Sequence, residues 1–215
     1  MSVTPGRLIS FEGGEGAGKS TVIQAVQARL RERAIRFECT REPGGTPLAE
    51  AIRALALSAQ WQGQICAETE LLLVFAARAQ HVRERLLPLL ETGIWVIADR
   101  FTDASYAYQG GGRGQPEQRI RGLEQWAACD LQPDLTFLLD LPVQTGLARA
   151  DARGARDRME LEQESFFERV RAAYLQRAAR SPDRFRIIDA SKPREEVAAS
   201  VLRVLDAWLS TVTAT

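Results

Sequence analysis

Cysteine is scarce and histidine scarcer in this 215-residue chain, which has Cys39, Cys66, Cys129 and a single histidine, His81. The cysteines are odd in number, far apart and without a C-x-x-C pair. Neither a disulfide framework nor a zinc site is expected; reduced thiols of a cytoplasmic protein are. No stretch reaches the ~18 apolar residues that cross a bilayer, and Met1–Arg7 is too short and polar for a secretory leader. Net charge is missing too: Lys and Arg number 28, as do Asp and Glu. That balance argues against a broad nucleic-acid-binding face. There are no repeats, long linkers or low-complexity tracts. What remains is a single domain over 1–215, with 45% hydrophobic residues to build a substantial core.

The organising stretch is Gly13-Gly14-Glu15-Gly16-Ala17-Gly18-Lys19-Ser20, followed by Thr21. It matches the phosphate-loop pattern G-x-x-x-x-G-K-[ST] at every fixed position. Leu8–Phe11 before it reads as a buried strand. Val22, Ala25, Val26, Arg29 and Leu30 after it follow helical spacing. Strand, glycine loop and helix are the context the motif needs. Backbone N–H groups close on a phosphate and the new helix adds its positive end. Lys19 reaches the outer phosphates, and Ser20 can sit on magnesium. A bound nucleoside triphosphate is expected.

Four further strands are predicted at Phe37–Thr40, Ile94–Ala98, Leu135–Asp140 and Phe185–Asp189. Helices are predicted over Thr46–Ser58, about Ala67–Leu90, Pro116–Ala128, from Val143 to about Ala152, Glu162–Arg180 and Pro193–Leu209. On the long second helix, Leu72, Phe75, Ala76, Ala79, Val82, Leu86 and Leu89 form an apolar stripe. Ala59–Ile65 reads as a loop, and Gly110–Gly114 as a flexible one. Strands alternating with helices imply an α/β fold: a five-stranded parallel sheet with helices on both faces. Ligands of such folds collect at the carboxyl ends of the strands. The phosphate loop, Arg41-Glu42-Pro43-Gly44-Gly45 and Asp99-Arg100 all fall there.

Each of these constellations has a plainer alternative. Glu15 would repel a triphosphate, so it either turns toward a neighbouring hydroxyl-bearing ligand or faces solvent. Arg41 can grip phosphate bidentately, or pair with Glu42 across a turn. Asp99 can hold magnesium and Arg100 an anion, or the two form a strand-end ion pair. Phe75 and Arg78 (i, i+3) can address one planar base, or serve the core and the solvent. Tyr108 and Gln109 precede the glycine run, and Gln109 can read an amide-like edge or lie on the surface. Arg149, Arg153, Arg156 and Arg158 crowd a segment at about 145–160, which is a cationic lid or a salt-bridged helix. No nucleophile–base pair is evident. None is needed when the acceptor is a phosphate monoester, already largely ionised at neutral pH. Arginines at several strand ends therefore point to two phosphorylated ligands meeting head to head.

Taken together, the chain resembles the thymidylate kinase family along nearly its full length. The resemblance rests on Phe11–Thr21, Thr40–Thr46, Ala76–His81, Asp99-Arg100-Phe101 with Ser105, Ala107–Gly110, and Asp157-Arg158-Met159-Glu160. It implies the P-loop nucleoside monophosphate kinase fold, with the γ-phosphate of ATP transferred to dTMP, magnesium as cofactor, and a homodimer. A different nucleoside monophosphate as acceptor is the alternative, and a nucleotide switch with little turnover is a third reading. The resemblance places Glu15 at the sugar 3′-hydroxyl and Arg41 and Arg100 on the dTMP phosphate. It places Arg78 near thymine O4, Ser105 and Gln109 at the base edge, Tyr108 against a ribose 2′-hydroxyl, and Arg53 on the base side. Asp99 and Glu42 would organise metal and phosphates. With Gly16-Ala17-Gly18 and no arginine in the loop, the chain resembles members whose catalytic arginine is in the lid, with Arg149 and Arg153 as matches and Arg153 at the transition state. The family's stacking phenylalanine falls at Val74, so the resemblance implies that either Phe75 takes over the stacking or the helix is locally adjusted.

Overall fold

The computed structural model describes residues 5–151 and 157–212. Arg153 and Arg156 lie outside the described residues. Five strands, β1 (Leu8–Glu12), β2 (Phe37–Arg41), β3 (Trp95–Asp99), β4 (Leu135–Asp140) and β5 (Phe185–Asp189), form one sheet in the order β2-β3-β1-β4-β5. Every pairing is parallel. All five carboxyl ends therefore share one edge. β1 is central, with β3 on one side and β4 on the other.

Alternation along the strands divides the core between the two faces. Ile9, Phe11, Ile97, Leu135, Phe137 and Leu139 pack with Val22, Val26 and Leu30 of α1 (Lys19–Glu32) and with Val197, Val201 and Leu205 of α9 (Arg194–Val212). On the other face Leu8, Val96 and Ala98 meet the apolar side chains that follow α3 (Ala67–His81). Leu138 meets α8 (Glu164–Arg180) there as well. Every residue of β1 is buried, as a strand covered on both faces requires. No helix among the described residues is long and apolar enough to cross a membrane.

Element boundaries fall within a residue or two of those expected, except that α9 runs three residues past Leu209 and a short 3-10 turn, Ala59–Trp61, stands in the expected loop Ala59–Ile65; three larger departures remain. The long helix is not continuous α-helix. After His81 it widens to π-type turns over Val82–Leu86 and resumes as α4 (Leu87–Glu91). Its apolar stripe is also rotated. Leu72 is 57% exposed, whereas Leu71, Val74 and Phe75 are buried with the polar Glu70 and Arg78. The inward face carries charge because it lines the site, which a purely apolar stripe hides.

The third departure is the glycine run. After α5 (Thr102–Ser105), residues Tyr106–Gly112 form π-type helical turns and not a flexible loop. A methyl added at Gly111 would stand 2.6 Å from Ala173 Cβ and 2.7 Å from Arg169 O. One at Gly112 would stand 2.4 Å from the Phe166 ring. Glycine is used here for close approach to α8, not for mobility. Between these regions lie α2 (Pro47–Leu57), capped by Thr46 Oγ1, which accepts from Ala49 N, then α6 (Glu117–Ala127) and α7 (Val143–Asp151).

Candidate active site

A cleft of about 570 Å³ opens at the carboxyl edge of the sheet. It brings together nearly all the residues singled out from sequence. Glu15 through Thr21, Arg41, Glu42, Arg53, Arg78, Asp99, Arg100, Ser105, Tyr108, Gln109 and Arg149 line it. Gly13 and Gly14 border a small recess behind the loop, shared with Leu139 and Tyr174.

The loop is built for an anion. Gly16 and Gly18 take left-handed backbone angles, φ 68° and 85°, which turn successive N–H groups one way. Lys19 opens α1, and its Nζ reaches Gly13 O at 3.4 Å and Gly14 O at 3.5 Å. Burial, then the Arg100 charge, lowers its pKa, against the pull of Asp99, Glu15 and Glu12. Such a lysine gains when a phosphate arrives. Gly16 also seats the loop directly on α7: a methyl there would meet Gly146 O at 2.0 Å.

Arg100 is held through both its backbone and its side chain. Its backbone has φ 71°, a conformation that costs a non-glycine residue about 1 kcal/mol or more. Two contacts hold it: Arg100 N donates to Phe11 O at 3.0 Å, and the next N–H, of Phe101, donates to Glu12 Oε1 at 2.7 Å. The guanidinium donates to Gly13 O at 2.8 Å, Tyr174 Oη at 3.1 Å and Glu15 Oε1 at 2.9 Å. It also lies 4.8 Å from the Tyr108 ring centroid. Tyr108 Oη donates to the same Glu15 oxygen at 2.7 Å. Glu15 is therefore turned toward Arg100 and Tyr108, not out to solvent, and Arg100 pairs with Glu15 and not with Asp99.

Arg41 and Glu42 also part company. Arg41 makes a two-point contact with Glu50, Nε at 3.2 Å and Nη2 at 2.8 Å, on the exposed rim. Arg53 Nη1 donates to Pro43 O at 2.8 Å. Burial, and next the Arg41 charge, lowers the Arg53 pKa, so the two arginines leave a surplus of positive charge at this wall.

Glu42 does not behave as a metal ligand. It is buried, with Oε2 accepting from Arg78 Nε at 2.6 Å and Oε1 within 2.9 Å of His81 Nδ1. Both carboxylate oxygens are engaged by protein donors, which corrects the expectation that Glu42 holds magnesium. Arg78 is 1% exposed; besides Glu42 it donates to Ser105 Oγ at 2.9 Å and Phe101 O at 3.2 Å.

Phe75 is the second correction. It does not line the cleft; Val74 does. Phe75 lies in the core with Leu71, Tyr106, Ile120 and Ala127, its ring 4.5 Å from the Arg78 guanidinium carbon. The helix is not shifted to bring the ring forward, because turning it outward would expose the face that closes the core. Phe75 backs Arg78, and Val74 supplies the apolar wall.

One oxygen of the cleft, on Asp99, is left for a divalent cation. Among the described residues, Asp99 Oδ1 and Thr102 Oγ1 are the buried side-chain polar atoms without a hydrogen-bond partner. Ser20 lines the same cleft as Asp99. No group of three or more His, Cys, Asp or Glu converges among the described residues. A cation here would draw most ligands from phosphate and water, as magnesium does with nucleotides.

Arg149, on α7, donates to Ala190 O at 2.8 Å and Ser191 O at 3.1 Å, tying α7 to the turn after β5. Lys192, Arg194 and Val197 of that region line the cleft but were not singled out for the site from sequence, nor were Ala56, Leu57 and Glu70; Arg158, one of the clustered arginines, lines it too. One signal was available: Lys19 and Lys192 are the only lysines in the chain, and both line the cleft. Glu12 was missed as well, although a carboxylate ending an apolar strand before the first loop glycine stands out. It is fully buried, and Tyr174 Oη donates to its Oε2 at 2.7 Å.

The thymidylate kinase family profile matches residues 11–201. The chain is 55% identical over 201 residues to the thymidylate kinase of Pseudomonas putida strain W619, covering 94% of this chain and 95% of that one. It is 53% identical over 204 residues to the thymidylate kinase of Ectopseudomonas mendocina strain ymp, covering 95% and 97%. With the thymidylate kinase of Chromohalobacter salexigens it shares 54% identity over 200 residues, covering 93% and 94%.

Glu12 yields a prediction of its own. Burial, and next the Asp103 charge, pushes its carboxyl up to about 8 from an ordinary 4.5. The folded chain thus keeps a proton there that the unfolded chain has lost. The resulting stability is full below the ordinary value and disappears as pH rises toward the folded value. Glu12→Gln mimics the neutral carboxyl and should remove this slope. Urea midpoints measured from about pH 5 to about pH 8 should fall more for the parent than for the variant; parallel curves would show that Glu12 does not titrate in this window.

Proposed function

The chain belongs to the thymidylate kinase family and is a dTMP kinase, and from that premise we propose how its cleft seats two nucleotides. ATP supplies the phosphoryl group. The loop Gly13–Ser20 and Lys19 take its phosphates, and Arg149 and the turn after β5 flank its nucleoside. Arg41 and Arg100 take the dTMP phosphate, and Arg53 closes the base side. Glu15, aligned by Arg100 and Tyr108, accepts from the sugar 3′-hydroxyl, and the Tyr108 ring occupies the space of a 2′-hydroxyl. Thymine lies along Val74, with Arg78 donating to O4 and Ser105 and Gln109 at the base edge.

The observation that carries this reading is the number of cations in one cleft. Lys19 sits at the loop, and Arg41, Arg53 and Arg100 line the same cleft, Arg100 paired with Glu15. Lys19 serves the loop, which leaves three arginines for a second ligand. The acceptor oxygen is largely ionised, so the protein has no proton to remove. Its work is alignment and neutralisation of charge spread over the transferring oxygens. Magnesium, held by Ser20 and Asp99, would neutralise charge on the ATP phosphates when bound. The segment at about 145–160 acts as the lid, and Arg153 supplies the transition-state contact that the loop lacks.

Homodimer formation is part of the proposal. α2 and α3 pack on each other and leave Leu48, Leu55 and Leu72 exposed at 54%, 46% and 57%. Three large apolar side chains on neighbouring helices suit a second copy of the chain. Sedimentation equilibrium should report a dimer at micromolar concentration, and a monomer throughout would remove this element.

ADP release measured against a panel of monophosphates tests the acceptor. dTMP should turn over faster than dUMP, CMP or AMP, and a chelator should stop the reaction. A faster rate with CMP or AMP would favour the alternative acceptor, and undiminished turnover in chelator would remove magnesium. Arg153→Ala should lower kcat by about a hundredfold or more, on the scale of a lost transition-state arginine, with KM for dTMP little changed. A change confined to KM would take Arg153 out of the catalytic role.

A further inference from the structure

Glu70 is a charged residue buried on α3, with a side chain 2% exposed. Three donors from outside α3 converge on it. Its Oε1 accepts from Gln109 Nε2 at 2.9 Å, and its Oε2 from Arg158 Nη2 at 2.6 Å. Arg113 Nε lies 3.2 and 3.1 Å from the two oxygens, and Arg113 is in turn neutralised by Glu162 at 2.7 Å. Arg158 is anchored a second time, donating through Nε to Ala56 O at 2.8 Å. The carboxylate is therefore held on every side and has no freedom to follow a ligand.

A carboxylate between two guanidiniums only accepts hydrogen bonds. An amide next to it has one tolerable orientation, with NH₂ toward the carboxylate. The flipped amide would set oxygen against oxygen. Gln109 is 4% exposed and lines the cleft. With one N–H bound to Glu70, the amide has a second N–H and its carbonyl oxygen left, each fixed in place, and the oxygen is the one paired with a base in this reading. An oxygen there matches a ring N–H, as in the imide of thymine or uracil. It opposes a ring nitrogen lone pair, as in cytosine. A free Gln109 could flip and serve either.

We propose that Glu70 is a specificity-determining positioning residue: by locking the Gln109 amide in one orientation, it makes the acceptor site read an imide N–H and reject a cytosine-type ring nitrogen. This rests on Gln109 being a base contact, as proposed above. Glu70 itself touches no substrate. Its effect passes through the amide it orients.

The test compares kcat/KM for dTMP with that for dCMP in the full chain and in Glu70→Gln, Gln109→Leu and the double variant. A glutamine at 70 can donate or accept, which frees Gln109 to flip. The dTMP-to-dCMP ratio should fall about tenfold in Glu70→Gln, the scale of one mispaired buried polar group. Adding Glu70→Gln to Gln109→Leu should change the ratio no further. The ratio is internal to each preparation, so partial unfolding lowers both rates and leaves it alone. If Gln109→Leu shifts the ratio but Glu70→Gln slows both substrates equally, Glu70 is only structural and the inference is overturned. An unchanged ratio in Gln109→Leu instead overturns the base contact beneath it. Should Glu70→Gln not fold, Glu70→Asp, which withdraws the carboxylate by one methylene, should lower the ratio by about threefold; a parental ratio there also overturns the inference.

Discussion

A guanidinium taken out of water beneath this cleft costs several kcal/mol unless a carboxylate goes with it. Four carboxylates meet that demand: Glu42 for Arg78, Glu70 for Arg158 and Arg113, Asp103 for Arg177 and Arg184, and Glu15 for Arg100. Such pairs add little net stability, because desolvation offsets their attraction. What they supply is position. Each guanidinium keeps a planar array of donors, and the carboxylate chooses which donors remain for a ligand. The charged side chains of the cleft are thus held by the protein itself, the preorganisation that stabilises developing charge.

The same constraint accounts for the backbone of Arg100. Its left-handed residue would be a liability at an ordinary strand end. Here Phe11 O, Glu12 and Tyr174 hold it from three directions. Two buried hydrogen bonds at about 1 kcal/mol each outweigh a strain of about the same size. Glu12 remains uncompensated by a full ion pair, and for that reason its proton is retained to higher pH.

Much of this was legible in the chain. The phosphate loop, the five strands and the strand-end positions of Arg41, Asp99 and Arg100 follow from periodicity and spacing, because local geometry dictates them. Partners did not follow. Nothing near Glu42 in sequence says that it will turn to Arg78 and His81, 36 and 39 residues away. The choice between Val74 and Phe75 depends on rotation of one helix about its axis, and apolar periodicity misjudged that rotation because Glu70 and Arg78 occupy the inward face. The glycines at 111 and 112 read as slack, whereas their cause is the approach of α8, distant in the chain. Arg153, one of the clustered arginines, takes its transition-state role only from likeness to a family, and it lies outside the described residues.

One contact carries a consequence for how this chain can change. Gly16 and Gly146 face each other across the seam between loop and α7. A methyl on Gly146 would stand 2.4 Å from Glu15 O, just as one on Gly16 would stand 2.0 Å from Gly146 O. Neither glycine can therefore be replaced first, since a single exchange at either position collides with main chain that has no rotamer to turn aside. Random drift reaches an alternative here only by moving a helix and a loop in one step. The seam is thus a mutational dead end, even though neither glycine has a side chain to contribute to chemistry.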